Sequence, residues 1–113
     1  MTLYNDSLIT EGGIMYITIT GINQYMGSDS LKIGQKLLLY KDHDNVYDDE
    51  SIVAKGETGT KYGYVANSVD SVARGSHSAG YIYTFFDEKA ECTIRFIFEN
   101  KAIAEIEKIK NNK

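Results

Sequence analysis

The sequence predicts a mainly β protein: a small OB-like or SH3-like barrel of six to seven strands, or a sandwich of the same strands, with one short helix. Three observations carry this. Short runs of aliphatic, β-branched and aromatic residues recur along the chain, each bounded by Gly, Asn, Asp or Ser. Nine tyrosines stand against no tryptophan and no proline, and tyrosine suits half-buried strands. A single stretch opens like a helix, at Asn67, and Gly75 with Ser76-His77-Ser78 ends it after two turns.

Taken in order, residues 1–12 carry no clear pattern and read as a flexible arm closed by the turn Glu11-Gly12-Gly13. Ile14–Thr20 is the best strand, with Met15, Ile17 and Ile19 on one face and Tyr16, Thr18 and Thr20 on the other. Gly21–Gly27 is a glycine-bracketed loop with Tyr25 near its tip, and Gly34 feeds a second strand at Gln35–Lys41. An acidic loop, Asp42–Glu50, leads to a short third strand at Ile52–Lys55. The glycine turn Gly56-Glu57-Thr58-Gly59-Thr60 then returns the chain as Lys61–Val65. Asn67 reads as a helix N-cap with Asp70 three residues on, where a capping box places an acid.

Beyond that helix, Tyr81–Phe86 reads as a strand and Asp87-Glu88-Lys89 as a tight turn. In Ala90–Phe98 the alternation puts Cys92, Ile94, Phe96 and Phe98 on one face, opposite Thr93 and Arg95. Lys101–Ile109 fits either a helical or a strand spacing. A strand ending near Ile106 is expected, because the run follows a hairpin-like Glu99-Asn100. Residues 13–107 then form one domain, followed by a basic tail at 108–113.

Composition limits the function. A chain of 113 residues, 42% hydrophobic and 25% charged, is one globular domain with a core of its own. The single cysteine, Cys92, excludes an internal disulfide and points to a reducing compartment. With no leader pattern and no run of about 18 apolar residues, the expected location is the cytoplasm, away from membranes. A net charge of −4 argues against broad duplex binding, which neutralises many phosphates. It leaves room for a small pocket that reads one end or one nucleotide.

The acidic loop places five carboxylates in nine residues. Asp44 and Asn45 form Asx turns readily, but Tyr47-Asp48 is less easily explained by turn chemistry alone. An EF-hand would need glycine at the sixth position and glutamate at the twelfth, where Tyr47 and Val53 stand. His43, His77 and Cys92 lack metal-ligand spacing, and Cys92 lies on the apolar face of its strand. The 56–61 turn lacks the Gly-Lys-Ser/Thr ending of a phosphate-cradling loop. No enzyme activity, metal or cofactor is expected.

The residues left over resemble a known family. Tyr25-Met26-Gly27, Gly34 before Leu37–Leu39, Asn45-Val46-Tyr47-Asp48 before Ile52-Val53, and Tyr62-Gly63-Tyr64-Val65 follow the pattern of the HIRAN domain across residues 15–75. The part from Ala79 onward looks like the remaining strands of short, stand-alone bacterial versions. The resemblance implies a compact OB-like barrel. In versions fused to fork-remodelling DNA translocases, a pocket holds the 3′-hydroxyl end of single-stranded DNA. It implies Asp48 as hydroxyl acceptor, Tyr47 and Tyr25 as stacking platforms, Asn45 as a loop-fixing donor and Tyr64 as a pocket wall. Asn67 stands beside Ala66 where a basic residue gripping phosphate is expected, and Gln24 replaces a second aromatic. Both departures weaken the expected binding. The alternative is a protein-interaction module using a tyrosine-rich face, with no nucleic acid. Lys41, Lys61 and Arg74 gathered around Tyr47 would favour nucleic acid, whereas a pocket ringed only by acids would count against it.

Overall fold

In a computed structural model, which describes residues 14–68 and 70–106, the alternation of the first strand is realised directly. Met15, Ile17 and Ile19 are buried in β1 (Met15–Thr20). The strands β2 (Lys36–Lys41), β3 (Ile52–Lys55), β4 (Lys61–Val65), β5 (Lys89–Phe98) and β6 (Lys101–Ile106) complete a closed antiparallel barrel in the order β1-β4-β3-β2-β5-β6. Closure leaves no unpaired sheet edge. The expected arm at 1–12 and tail at 108–113 lie outside the described residues.

The interior is filled by alternate residues of every strand: Ile17 and Ile19, Leu37 and Leu39, Ile52, Val65, Cys92 and Ile94, Ala104 and Ile106. From the connections, Ile22, Leu31, Ile82 and Phe86 join the same core. Lys101–Ile106 forms β6, a strand and not a helix, as its position after Glu99-Asn100 leads one to expect. Burial pushes the Cys92 thiol up to about 12, so almost none of it is thiolate at neutral pH. A maleimide or disulfide reagent should therefore label native protein slowly and unfolded protein at once. Rapid stoichiometric labelling without denaturant would contradict this packing.

Three expectations are corrected. In β5 the alternation holds for Ala90, Cys92 and Ile94, then fails: Phe96 and Phe98 are 61% and 46% exposed. A register shift against β6 between Ile94 and Phe96 inserts one residue, which turns every later side chain to the opposite face. Ile97 packs on the core in their place.

The second correction concerns Tyr81–Phe86, which is not a strand. It is a short helix, α1 (Ala79–Ile82), continued by a 3-10 turn at Tyr83–Phe85. The Ser78 side chain caps it by accepting from the Tyr81 N–H, and Ala79, Ile82 and Phe86 are buried at spacings of three and four. Helical packing overrides the strand propensity of the aromatics.

Third, among the described residues no helix follows Asn67. The Ser68 carbonyl accepts from the amides of Ser71 and Val72, and the chain then turns through Gly75. This segment is fastened across the outer face of β1. Thr18 Oγ1 accepts from the Ala73 N–H at 3.0 Å and hydrogen-bonds Ser76 Oγ at 2.7 Å, while the His77 N–H donates to the Tyr16 carbonyl at 2.7 Å.

The His77 ring stacks on Tyr81 at 4.2 Å, and burial lowers its pKa below the ordinary value. The folded state therefore binds a proton less readily than the unfolded chain. The contribution is complete above the unfolded value of about 6.5 and is lost as pH falls through it. The urea midpoint should drop between pH 7.5 and 5.5, and His77→Gln should flatten that slope. An unchanged slope would remove His77 as its source.

Candidate functional site

The acidic loop between β2 and β3 is held by its own side chains. Its ends are clamped by the Asp42 N–H donating to the Ser51 carbonyl at 2.8 Å. Asn45 Oδ1 accepts from the amides of Tyr47 at 2.8 Å and Asp48 at 3.1 Å, and its Nδ2 donates to Ser51 Oγ at 3.2 Å. Asp48 Oδ1 in turn accepts from the Glu50 N–H at 2.9 Å. The Asx turns at Asn45 and Asp48 thus order the loop and leave Val46 and Tyr47 pointing outwards. Their exposures are 83% and 95%.

Asn67 ties this loop to the rest of the barrel. Its Nδ2 donates to Asp48 Oδ2 at 3.2 Å and to Glu50 Oε1 at 3.3 Å, while its Oδ1 accepts from the Gly80 N–H at 2.7 Å. Asn67 is therefore the bridge between the acidic loop and the start of α1, not a helix cap. A single neutral amide shared by two carboxylates lowers their mutual repulsion and fixes the Asp48 carboxylate in position.

Between this loop and the end of β4 lies an open cleft of about 390 Å³, lined among others by Asn45, Tyr47, Asp48, Tyr64, Asn67 and Ser71. Five of the six expected site residues come together here. The sixth, Tyr25, stands behind Tyr64, with ring centroids 6.2 Å apart. Tyr64 donates its hydroxyl hydrogen to Asp42 Oδ2 at 3.2 Å and accepts from Lys61 Nζ at 3.1 Å. That bond to Tyr64 holds the Lys61 pKa above its ordinary value, against the opposing effect of burial. The ammonium also lies over the Tyr25 and Tyr64 rings, 5.3 and 5.1 Å from their centroids.

The three cations named from sequence do not converge. Lys61 approaches from behind Tyr64. Lys41 lies over Tyr83 at 4.3 Å, and Arg74 lines a separate groove. Nor is the cleft a ring of acids, since its lining is mostly neutral and polar with Asp48 as its carboxylate. Sequence reasoning missed Lys101, whose Nζ donates to the Ser71 carbonyl at 3.2 Å on the cleft's rim. Its position follows from the pairing of Lys101 with Thr20, a cleft residue, which only the strand register reveals. No group of three His, Cys, Asp or Glu side chains that could hold a metal occurs among the described residues.

No protein-family model matches the chain, and no curated protein matches it significantly. Solved structures do. The HIRAN domain of human HLTF superposes with a TM-score of 0.60 at 15% identity, covering 82% of this chain and 72% of that one. The fold is HIRAN-like. A protein from Lactobacillus plantarum is also similar, with a TM-score of 0.51 at 16% identity over 82% of this chain and 96% of that one. In this HIRAN-like barrel, Asn45-Val46-Tyr47-Asp48 forms the β2–β3 loop and Gly63-Tyr64-Val65 ends β4. Two motifs separated in sequence thereby line one cleft, through Asn45, Tyr47 and Asp48 of the first and Tyr64 and Val65 of the second. Among the described residues, no helix is long and apolar enough to cross a membrane.

Proposed function

We propose that this chain is a non-catalytic module that binds the 3′ end of single-stranded DNA in the cleft beside the acidic loop. The observation that carries this reading is the pairing of a fixed carboxylate with a free aromatic face. Asp48 is held by the Asn67 amide and the Glu50 N–H, and next to it the Tyr47 ring is 95% exposed. Burying that ring on the protein would have been favourable, so its exposure suits an incoming flat partner. A carboxylate accepts a hydrogen bond from a sugar hydroxyl and repels a terminal phosphate, which makes the cleft selective for the chemistry of the end. Asn45 fixes the loop that presents both groups, and Tyr64 forms the facing wall.

Magnitudes keep the interaction modest. The carboxylate–hydroxyl bond contributes ~1.5–3 kcal/mol and each stacked base ~1–3 kcal/mol, before ordering costs are subtracted. With a net charge of −4 as well, the dissociation constant should be on the order of 10 μM or weaker, about −7 kcal/mol. Lys101 and Lys61 can neutralise one or two phosphates. At ~0.7 counterions per phosphate, the log–log salt slope should be shallower than about −1.5. Fluorescence titration of single strands with free and with phosphorylated 3′ ends tests the reading. Equal affinity for the two ends would reject it.

A second reading has one observation in its favour. Val46 and Tyr47 protrude from a loop of five acids, an apolar tip suited to a basic protein surface. On that reading no single strand binds at any accessible concentration.

A further inference from the structure

On the far side of the segment that follows β4 lies a second groove, of about 360 Å³. Its floor is the outer face of the barrel, with Tyr16 from β1, Ile103 from β6, and Phe96 and Phe98 from β5, and Arg74 stands in its wall. Phe96, Phe98 and Tyr16 are 61%, 46% and 37% exposed. The bulge in β5 is what turns the two phenyl rings outwards. Apolar rings grouped on a surface are costly for a soluble fold and mark an interaction site.

The groove continues from the cleft. Ser71 lines the cleft and Ala73–Ser76 line the groove, so one short segment walls both. Lys101 links the two sides. It pairs with Thr20 of the cleft on one strand and with Phe98 of the groove on the other, and its ammonium rests on the Ser71 carbonyl at 3.2 Å. A row of flat aromatic faces with a lysine at one end and an arginine beside it matches single-stranded nucleic acid, which alternates stacking bases with phosphates. An aliphatic partner would have to desolvate both cations without using either.

We infer that this groove carries the nucleotides that precede the bound 3′ end, their bases on Phe98, Phe96 and Tyr16 and their phosphates near Lys101 and Arg74. The inference rests on the end-binding reading of the cleft, which sets where the strand begins. It makes the module a reader of a short single-stranded tail and not of a terminal nucleotide alone.

The test is fluorescence anisotropy with 5′-labelled oligothymidylates, a dinucleotide and an octanucleotide, each with a free 3′-hydroxyl. Wild-type protein should bind the octanucleotide about tenfold more tightly. Phe96→Ala/Phe98→Ala should abolish that gain while leaving dinucleotide binding within about twofold, which also shows that the fold is intact. Arg74→Gln should weaken the octanucleotide alone and reduce its salt dependence. Equal wild-type affinity for the two lengths, or parallel loss of both in the double variant, overturns the inference. So does sedimentation as a dimer that the double variant dissociates, which would make the groove a self-association face. If the dinucleotide shows no preference for a free 3′-hydroxyl but the octanucleotide still depends on Phe96 and Phe98, the end-binding reading fails and the groove stands.

Discussion

Gly63→Ala should destabilise the barrel by about 3 kcal/mol, at the upper end for one added methyl group. A Cβ at Gly63 would sit 2.5 Å from the Thr20 carbonyl oxygen and 3.0 Å from Ile19 Cγ2. The first neighbour is backbone, so it can yield only if β1 and β4 move apart. Those strands pair at Ile19–Val65 and Thr20–Tyr64, with the Ala66 N–H donating to the Thr18 carbonyl beyond them, the narrowest seam of the barrel. The melting temperature should fall by on the order of 10 °C or more. Gly56→Ala is the matched control. There the added carbon meets the ring of Tyr62 at 3.0 Å, a side chain that can swing, so a drop several times smaller is expected. Thermal melts of the two variants side by side decide the matter, and equal drops would contradict the close approach at Gly63.

Asn67→Asp should loosen the site without unfolding the barrel at low pH. The variant keeps an oxygen to accept from the Gly80 N–H. It replaces the shared amide donor with a third carboxylate, facing Asp48 and Glu50 across distances of 3.2 and 3.3 Å in the native protein. Because the cluster is partly solvated, the cost is about 1–2 kcal/mol. Crowding three negative charges disfavours the folded variant only where its carboxyls are ionised. Its stability relative to wild type should therefore recover below pH ~4, where ordinary carboxylates gain protons, and be lost as pH rises. Urea midpoints of both proteins at pH 4 and pH 7 measure this. A stability difference independent of pH would mean that Asn67 does not separate the two acids.

The contrast between these positions shows what the sequence could and could not disclose. Short apolar runs between turn residues located β1, β2, β3 and β4 almost to the residue, the hairpin-like Glu99-Asn100 marked β6 as a strand, and period-two alternation put Met15, Ile17 and Ile19 inside. The same rule failed at Phe96 and Phe98, since a bulge is a property of two strands paired together and leaves no mark in one of them. It failed also at Tyr81–Phe86, where three buried positions and a Ser78 cap outweigh strand propensity. The site divides in the same way. Asn45, Tyr47 and Asp48 are neighbours in sequence and were legible as a group. The role of Asn67 as a clamp on Asp48, the placing of Lys101 on the cleft's rim and the displacement of Tyr25 behind Tyr64 depend on register and chain reversal.

The central claim is that Asp48 reads the chemistry of a strand's end, and one ratio tests it most directly. It is the affinity for a 3′-hydroxyl strand divided by that for the same strand bearing a 3′-phosphate, measured in wild type and in Asp48→Asn. The substitution keeps an acceptor oxygen but removes the charge that strengthens the bond to a hydroxyl and repels a phosphate. Wild type should prefer the hydroxyl end by about tenfold or more. In Asp48→Asn that preference should shrink towards unity, through weaker hydroxyl binding and equal or better phosphate binding. A ratio that is the same in both proteins, whatever the absolute affinities, would contradict the account.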